Sequence, residues 1–159
     1  MKKRHEGFYS EHKCDCVELD KYSLHYKFNT DVAKINFDVD TSDYKTMVST
    51  MYAILYAISD YMYIDRKDIK ACLYWKVINN QKKYSIIIFD AVSGGAGQSR
   101  RLVTQDGKIL NDVFTKALNN MKSCSCDSSC YNCLRSYENQ KIHEDLNRNL
   151  AIKFLEQLV

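Results

Sequence analysis

The sequence predicts an α+β fold, a small antiparallel sheet packed by a long helix and followed by a C-terminal helical part pinned by clustered cysteines. Three observations predict it. Aromatic and β-branched runs with a period of two lie on either side of Asn79-Asn80-Gln81, which is turn chemistry. Apolar residues recur at helical spacing in three other segments. Four cysteines fall within Cys124–Cys133, between the last two of those segments.

In chain order, residues 1–20 carry no periodicity and read as a tail, or as the remnant of a severed upstream module. Residues 21–159 read as the folded domain. Tyr22, Leu24, Tyr26 and Phe28, then Val32, Ile35, Phe37 and Val39, predict one or two half-buried strands interrupted at Asn29-Thr30-Asp31. Thr41-Ser42-Asp43 offers helix caps before Met47, Met51, Ile54, Leu55, Ile58 and Met62, an amphipathic stripe expected to lie on the sheet. Residues 69–77 and 83–92 predict a β-hairpin. Within it, the uninterrupted Ile86-Ile87-Ile88-Phe89 predicts a central strand covered on both faces. Ile109, Val113, Phe114, Ala117, Leu118 and Met121 mark a second helix, and Leu146, Leu150, Phe154, Leu155 and Leu158 a third.

Composition removes several classes of function. With 45% hydrophobic and 27% charged residues the chain is neither disordered nor fibrous. A formal net charge of +3 is too weak a field to announce a nucleic-acid binder. No run approaches the roughly 18–20 apolar residues of a membrane span, and the basic start runs into polar sequence, so the expected location is the cytoplasm, with no membrane partner. A reducing compartment and an odd count of seven cysteines favour metal binding or catalysis over disulfides.

Cys124-Ser-Cys126-Asp-Ser-Ser-Cys130-Tyr-Asn-Cys133 offers four soft ligands as two close pairs joined by a short turn, the spacing of a structural zinc site. Space-filling cysteines explain one or two apolar positions but not four thiols beside Ser, Asp and Asn. Cys130 and Cys133 alone form a C-x-x-C redox pair, but thioredoxin-like βαβ surroundings are missing. With four sulfur ligands no position remains for water, so the zinc is structural, one ion per chain, and pins the second helix to the third. Lys122, Arg135 and Lys141 are placed to offset its negative charge, and His143 to support the site from behind the ligands. Cys72, in an apolar strand, reads as a buried small hydrophobe. His12, Cys14 and Cys16 are either half of a second metal site or a solvated remnant.

The glycines concentrate at Gly94, Gly95 and Gly97, directly after Asp90 and before Arg100-Arg101. Such a loop either turns its N–H groups onto an anion, with the two arginines assisting, or is a tight turn that passes close to other backbone. It is neither a Walker loop nor a dinucleotide fingerprint. Arg135, Tyr137 and Arg148 around the cysteines supply the aromatic and basic interleaving that holds single-stranded nucleic acid, and that also hydrogen-bonds a zinc site and caps a helix end. A small nuclease or phosphohydrolase built on Asp90, the glycine loop, Arg100 and His143 is the competing reading, short of the several convergent carboxylates that magnesium chemistry uses.

Taken in order, Lys27-Phe28-Asn29-Thr30-Asp31-Val32, the segment 52–69 with its Ile64-Asp65-Arg66-Lys67-Asp68-Ile69 exit, the glycine loop and residues 124–148 resemble the MrfA-like zinc-binding domain, domain of unknown function 1998. The stretch from Cys126 through Cys133-Leu-Arg-Ser-Tyr137-Glu-Asn139-Gln140 to His143 is the specific part, and Ser93 departs from the family's frequent proline. The resemblance implies one metal ion on Cys124, Cys126, Cys130 and Cys133. It also implies an accessory role in a DNA helicase system of repair or antiphage defence, as in MrfA-type and DrmB-type superfamily 2 helicases. This chain carries no Walker lysine, so a helicase core is expected as partner, upstream in cis or supplied in trans. The chain by itself is then non-catalytic and acts through protein docking and contact with single-stranded DNA.

Overall fold

The structure is a computed structural model that describes residues 22–104 and 107–159. His12, Cys14 and Cys16 lie outside the described residues. Three strands, β1 (Val32–Ile35), β2 (Ile69–Ile78) and β3 (Gln81–Asp90), form an antiparallel sheet in the order β1-β3-β2. Helix α1 (Tyr44–Met62) separates β1 from β2; α2 (Gln98–Arg101), α3 (Lys108–Ser123), a 3-10 turn (Gln140–Asp145) and α4 (Arg148–Leu155) follow the sheet. The α+β class and the three predicted helices are present, although α4 is short and leaves out Leu146 and Leu158.

Asp43 caps α1, accepting from the N–H and hydroxyl of Thr46 at 2.7 and 2.6 Å. Tyr63 closes the helix in the left-handed conformation at φ 55°. α1 packs on the sheet and against both α3 and α4, so it is central rather than one-sided. Ser49, Thr50, Ala53, Ala57 and Ser59 are buried along with Met47, Ile54 and Ile58. These small side chains let neighbouring helices approach closely, and their weak hydropathy hid a second buried face from the apolar stripe.

The hairpin forms where the sequence places it. Asn79 and Asn80 have φ of 51° and 61°, the two positive values that a two-residue turn between twisted strands requires. β3 is the central strand as expected, but one of its faces is only half covered: Ile86 and Ile88 are fully buried whereas Ile87 and Phe89 are half-buried. No helix among the described residues packs on that outer face in the way α1 packs on the inner one.

Two expectations fail here. Residues 22–31 form no strand, and Tyr22, Leu24 and Tyr26 are exposed. Their alternation mimics a strand, but β1 begins at Val32 and pairs only through Ile35. Cys72 is exposed, not buried. It pairs with Ile87 in register, which puts it on the half-covered outer face of the sheet.

Candidate metal centre

α3 ends at Ser123, and Cys124 leaves the helix in an extended conformation at φ −85° and ψ 135°. The chain then doubles back. Cys130 O accepts from the N–H groups of Cys133, Leu134 and Arg135 at 3.1, 3.1 and 2.9 Å, and Cys130 N–H points at Cys133 Sγ at 3.3 Å. This tight turn brings all four sulfurs together. Cys124 Sγ lies 3.5 Å from both Cys126 Sγ and Cys130 Sγ, with Cys126–Cys133 at 3.6 Å and Cys130–Cys133 at 3.7 Å. The four atoms fall within 4.8 Å of one another.

Those separations meet the geometry of zinc. Sulfurs about 2.3 Å from a central ion at tetrahedral angles stand about 3.8 Å apart, whereas a disulfide would bring two of them to about 2.05 Å. The cysteines are free thiols and the donor set is complete with sulfur alone. In the metal-free protein, the Cys126 N–H and thiol hold the Cys124 thiol down at about 7, while burial pushes Cys133 up to about 12 and raises Cys126. An arriving ion displaces these protons, and four thiolates around it carry a net charge of minus two.

The cation that reaches this cluster is Arg148, in the first turn of α4. Its Nε and Nη2 donate to Cys126 O at 3.1 and 2.7 Å, and its Nη1 donates to Met121 O at 3.1 Å, one of the last carbonyls of α3. Arg148 N–H donates to Ser128 O at 2.6 Å, and Asn149 Nδ2 to Asp127 O at 3.0 Å. α3, the knuckle and α4 are thus tied by one guanidinium. Of the two roles the sequence leaves open for Arg148, nucleic-acid contact or bonding around the metal site, these hydrogen bonds are those of the second. Lys122 pairs with Glu156 at 2.6 Å, a second tie between α3 and α4. Arg135 remains in the knuckle, its Nε on Ser129 Oγ at 2.8 Å, while Lys141 is exposed.

His143 supports the segment after the knuckle and not a ligand. Its Nε2 lies 2.9 Å from Asn139 Oδ1 and 3.1 Å from Ser136 O, and its ring meets Tyr131 edge-on. Because Asn139 Oδ1 also accepts from Ser136 N–H at 2.8 Å, Nε2 is assigned as the donor. Asn139 is the residue whose role the sequence did not reveal. It is buried, and its Nδ2 donates to Leu134 O at 2.9 Å and to Tyr56 OH at 3.3 Å, fastening the knuckle to α1. The only available signal was its place in the Cys133-to-His143 motif. Tyr137, beside it, is 81% exposed.

The glycine loop does gather N–H groups on an anion, but the anion is internal. Asp90, fully buried at the end of β3, accepts from the N–H of Ala96 at 2.6 Å, Gln98 at 3.0 Å and Ser99 at 2.8 Å. Burial works to raise its pKa; the bonds from Ser99, Ala96 and Gln98 outweigh it and hold the carboxyl below its ordinary value. Gly94, Gly95 and Gly97 all have positive φ. At Gly95 a side chain would strike Asp31, with Oδ2 at 2.6 Å and the backbone N at 2.9 Å from a Cβ. Arg100, although exposed, pairs with Asp31 at 2.6 Å, and Arg101 donates to Gln98 Oε1 at 2.9 Å. The loop is a clasp over the Asn29–Asp31 segment: Gly94 N–H donates to Asn29 O and Thr30 Oγ1 to Asp90 O, both at 2.8 Å. Among the described residues, the four cysteines are the one group of three or more His, Cys, Asp or Glu side chains close enough to share an ion, so Asp90 and His143 do not assemble the carboxylate cluster of the nuclease reading.

An α+β domain with a closed four-sulfur site is a structural zinc module, and comparison with known proteins supplies its family. The family model of the MrfA Zn-binding domain matches residues 50–134, from within α1 through all four cysteines. The chain belongs to that family. It is 34% identical over 70 residues to the Druantia protein DruE of Escherichia coli, a match that covers 44% of this chain and 4% of DruE. It is 32% identical over 101 residues to the uncharacterized protein MJ1572.1 of Methanocaldococcus jannaschii, covering 62% of this chain and 87% of that one. Two crystal structures of the DUF1998 helicase MrfA share the fold, one bound to DNA (TM-score 0.53) and one to DNA and AMPPNP (TM-score 0.54). Both are 16% identical and cover 78% and 80% of this chain but only 16% and 15% of the helicase. The chain therefore corresponds to a small part of two of these relatives and to most of a third. Its one zinc ion belongs on Cys124, Cys126, Cys130 and Cys133. No helix among the described residues is long and apolar enough to cross a membrane.

Proposed function

We propose that this chain is a non-catalytic, zinc-stabilised accessory domain that works with a superfamily 2 DNA helicase core, in cis or in trans, in DNA repair or defence against phage. Residues 21–159 constitute the domain, and its place of action is the cytoplasm. The observation that carries the reading is the closed tetrathiolate: four sulfurs leave the ion no position for water or substrate, so it braces and does not catalyse. The state of Asp90 supports it, because a carboxylate that already accepts three N–H bonds is a poor general base. The likeness to DruE, a Druantia protein, and to MrfA, a helicase crystallised with DNA, supports the choice of system.

Docking on the core is the primary role in this reading, with Tyr137 beside the knuckle as the exposed stacking group for a single strand. The test is reconstitution. The zinc-loaded chain should co-elute with its helicase core, and Cys130→Ser should abolish co-elution; a metal-replete chain that never associates with the core overturns the reading. Single-stranded DNA at low and moderate salt tests the nucleic-acid limb. Retention that weakens with salt and with Tyr137→Ala supports it, and no retention at either salt leaves docking alone.

A further inference from the structure

β2 is ten residues long and stands at the edge of the sheet. Its register with β3 decides which of its backbone groups are spent. Asp68 O accepts from Ala91 N at 2.8 Å, and the two-residue turn closes on the Ile78–Gln81 pair, so even-numbered residues of β2 exchange their hydrogen bonds with β3. The N–H and C=O groups of Ala71, Leu73, Trp75 and Val77 face the open side, and among the described residues nothing pairs with them.

Edges of this length are ordinarily blunted by proline, by charged side chains, by a bulge or by a covering element; of these β2 carries two lysines, Lys70 and Lys76, and Lys70 is paired with Glu138. The chain has no proline and the β2–β3 register is unbroken. Trp75 and Val77 on one face are 52% and 60% exposed, and Tyr74 and Ile78 on the other are exposed as well. The two ends of the edge differ. Near Ile69 it opens into a groove of about 430 Å³ walled by Tyr52, Tyr56 and Tyr137, where the charges are already matched: Lys70 with Glu138, Lys67 with Asp65 and Arg66 with Asp60. At the hairpin end, residues 74–84 contain Lys76, Lys82 and Lys83 and no carboxylate. Asp40 matches Lys83, and Lys82 Nζ lies 4.9 Å over the Trp75 ring.

We propose that β2 is a strand-addition site for a partner polypeptide. An extended segment pairs with residues 71–77, sets an aromatic or apolar side chain in the tyrosine-walled groove and turns the acidic side chains of its other face toward Lys76. Alternating N–H and C=O groups along an edge are matched by another polypeptide backbone, whereas a nucleic acid offers no such array. The inference rests on the docking role proposed above and names the surface and the partner chemistry that serve it.

Trp75 is the single tryptophan of the chain, so its emission reports on the edge directly. The full-length zinc-loaded protein is titrated with a synthetic peptide of about ten residues in which glutamate alternates with valine and the last residue is phenylalanine. A lysine-for-glutamate version and an oligothymidine of about 15 nucleotides are titrated in parallel. The glutamate peptide should saturate the Trp75 signal, bind about tenfold more tightly than the lysine peptide, and protect the amides of Ala71, Leu73, Trp75 and Val77 from exchange. Val77→Pro should abolish binding, because it removes an N–H that faces the open side and spares the pairing with β3. Should that variant fold poorly, Lys76→Glu provides the check by reversing the preference between the two peptides. No saturable change up to about 1 mM, binding indifferent to these variants, a protein-concentration-dependent dimer that buries the edge, or oligothymidine as the tighter ligand at Trp75 would each overturn the proposal. Core association that survives Val77→Pro and is not competed by the peptide overturns the edge but keeps the docking role. Peptide binding without core association does the reverse.

Discussion

Arg148 reaches back from the first turn of α4 to the carbonyl oxygen of Cys126, which it grips with two of its nitrogens at 3.1 and 2.7 Å. The third nitrogen holds Met121 O at the end of α3. One side chain therefore spans the knuckle and both helices that flank it, and it places a permanent positive charge behind a cluster that becomes anionic when it binds metal. The brace and the ion act on the same joint.

Replacing Arg148 should consequently weaken both stability and metal retention. Arg148→Lys keeps the charge but loses the fork geometry, and Arg148→Ala loses both. The alanine variant should lose about 2 kcal/mol, the scale of charge-assisted hydrogen bonds, and the lysine variant somewhat less. Thermal unfolding and the rate of zinc transfer to a chelator measure the two effects; a variant that releases zinc at the wild-type rate contradicts the bracing role.

Metal analysis should find about one zinc per chain. Chelation, or Cys130→Ser, should loosen α3 and α4 while the β2–β3 hairpin persists, because the sulfurs tie only the C-terminal half. Acid should release the ion. Burial raises the Cys126 and Cys133 thiols in the metal-free protein, so protons compete for these sulfurs and affinity falls as pH falls. Amide exchange with and without chelator reads out which elements open, and uniform loosening would count against the local role.

Asp90 makes a separate pH prediction. Its pKa is held below 3.8 in the folded chain, so the stability it contributes is fully present above about pH 4, the unfolded value, and is lost as pH falls through the folded value. Asp90→Asn keeps the size but replaces an anionic acceptor of three N–H bonds. The gap in melting temperature between wild type and this variant should be widest near neutrality and close below about pH 4. A gap independent of pH would mean that the carboxylate charge contributes nothing.

The glycines should not be equivalent. Gly95→Ala puts a Cβ 2.6 Å from Asp31 Oδ2 and 2.9 Å from Asp31 N, and the backbone atom cannot swing away. Gly97→Ala meets nothing within 4 Å and has only its φ of +76° to overcome, a cost of about 1–2 kcal/mol. Gly95→Ala should therefore be the more damaging of the two by denaturant unfolding, and Asp31→Ala should not rescue it.

What could be read from the chain follows from local chemistry. Cys124, Cys126, Cys130 and Cys133 lie within ten residues, so a turn suffices to gather them and spacing alone identifies the site. Asn79-Asn80 sets the hairpin register, and Asp43 starts α1, for the same reason. Cys72 and Tyr22–Phe28 misled because alternation shows that residues share a face without telling what covers it. Arg148 stayed open in the sequence because an arginine beside aromatics suits a nucleic acid and a carbonyl cage equally well.

The sequence by itself determined the α+β class, the strand and helix periods, the zinc ligands and the family, since each is encoded by residues close together in the chain. Only the tertiary structure decided that Asp90 fills the glycine loop, that Asn139 fastens the knuckle to Tyr56 on α1, that Arg148 serves the metal centre, and that β2 is an open edge. Each of those joins groups far apart in sequence or depends on which surface is left bare, and such pairings are fixed by packing.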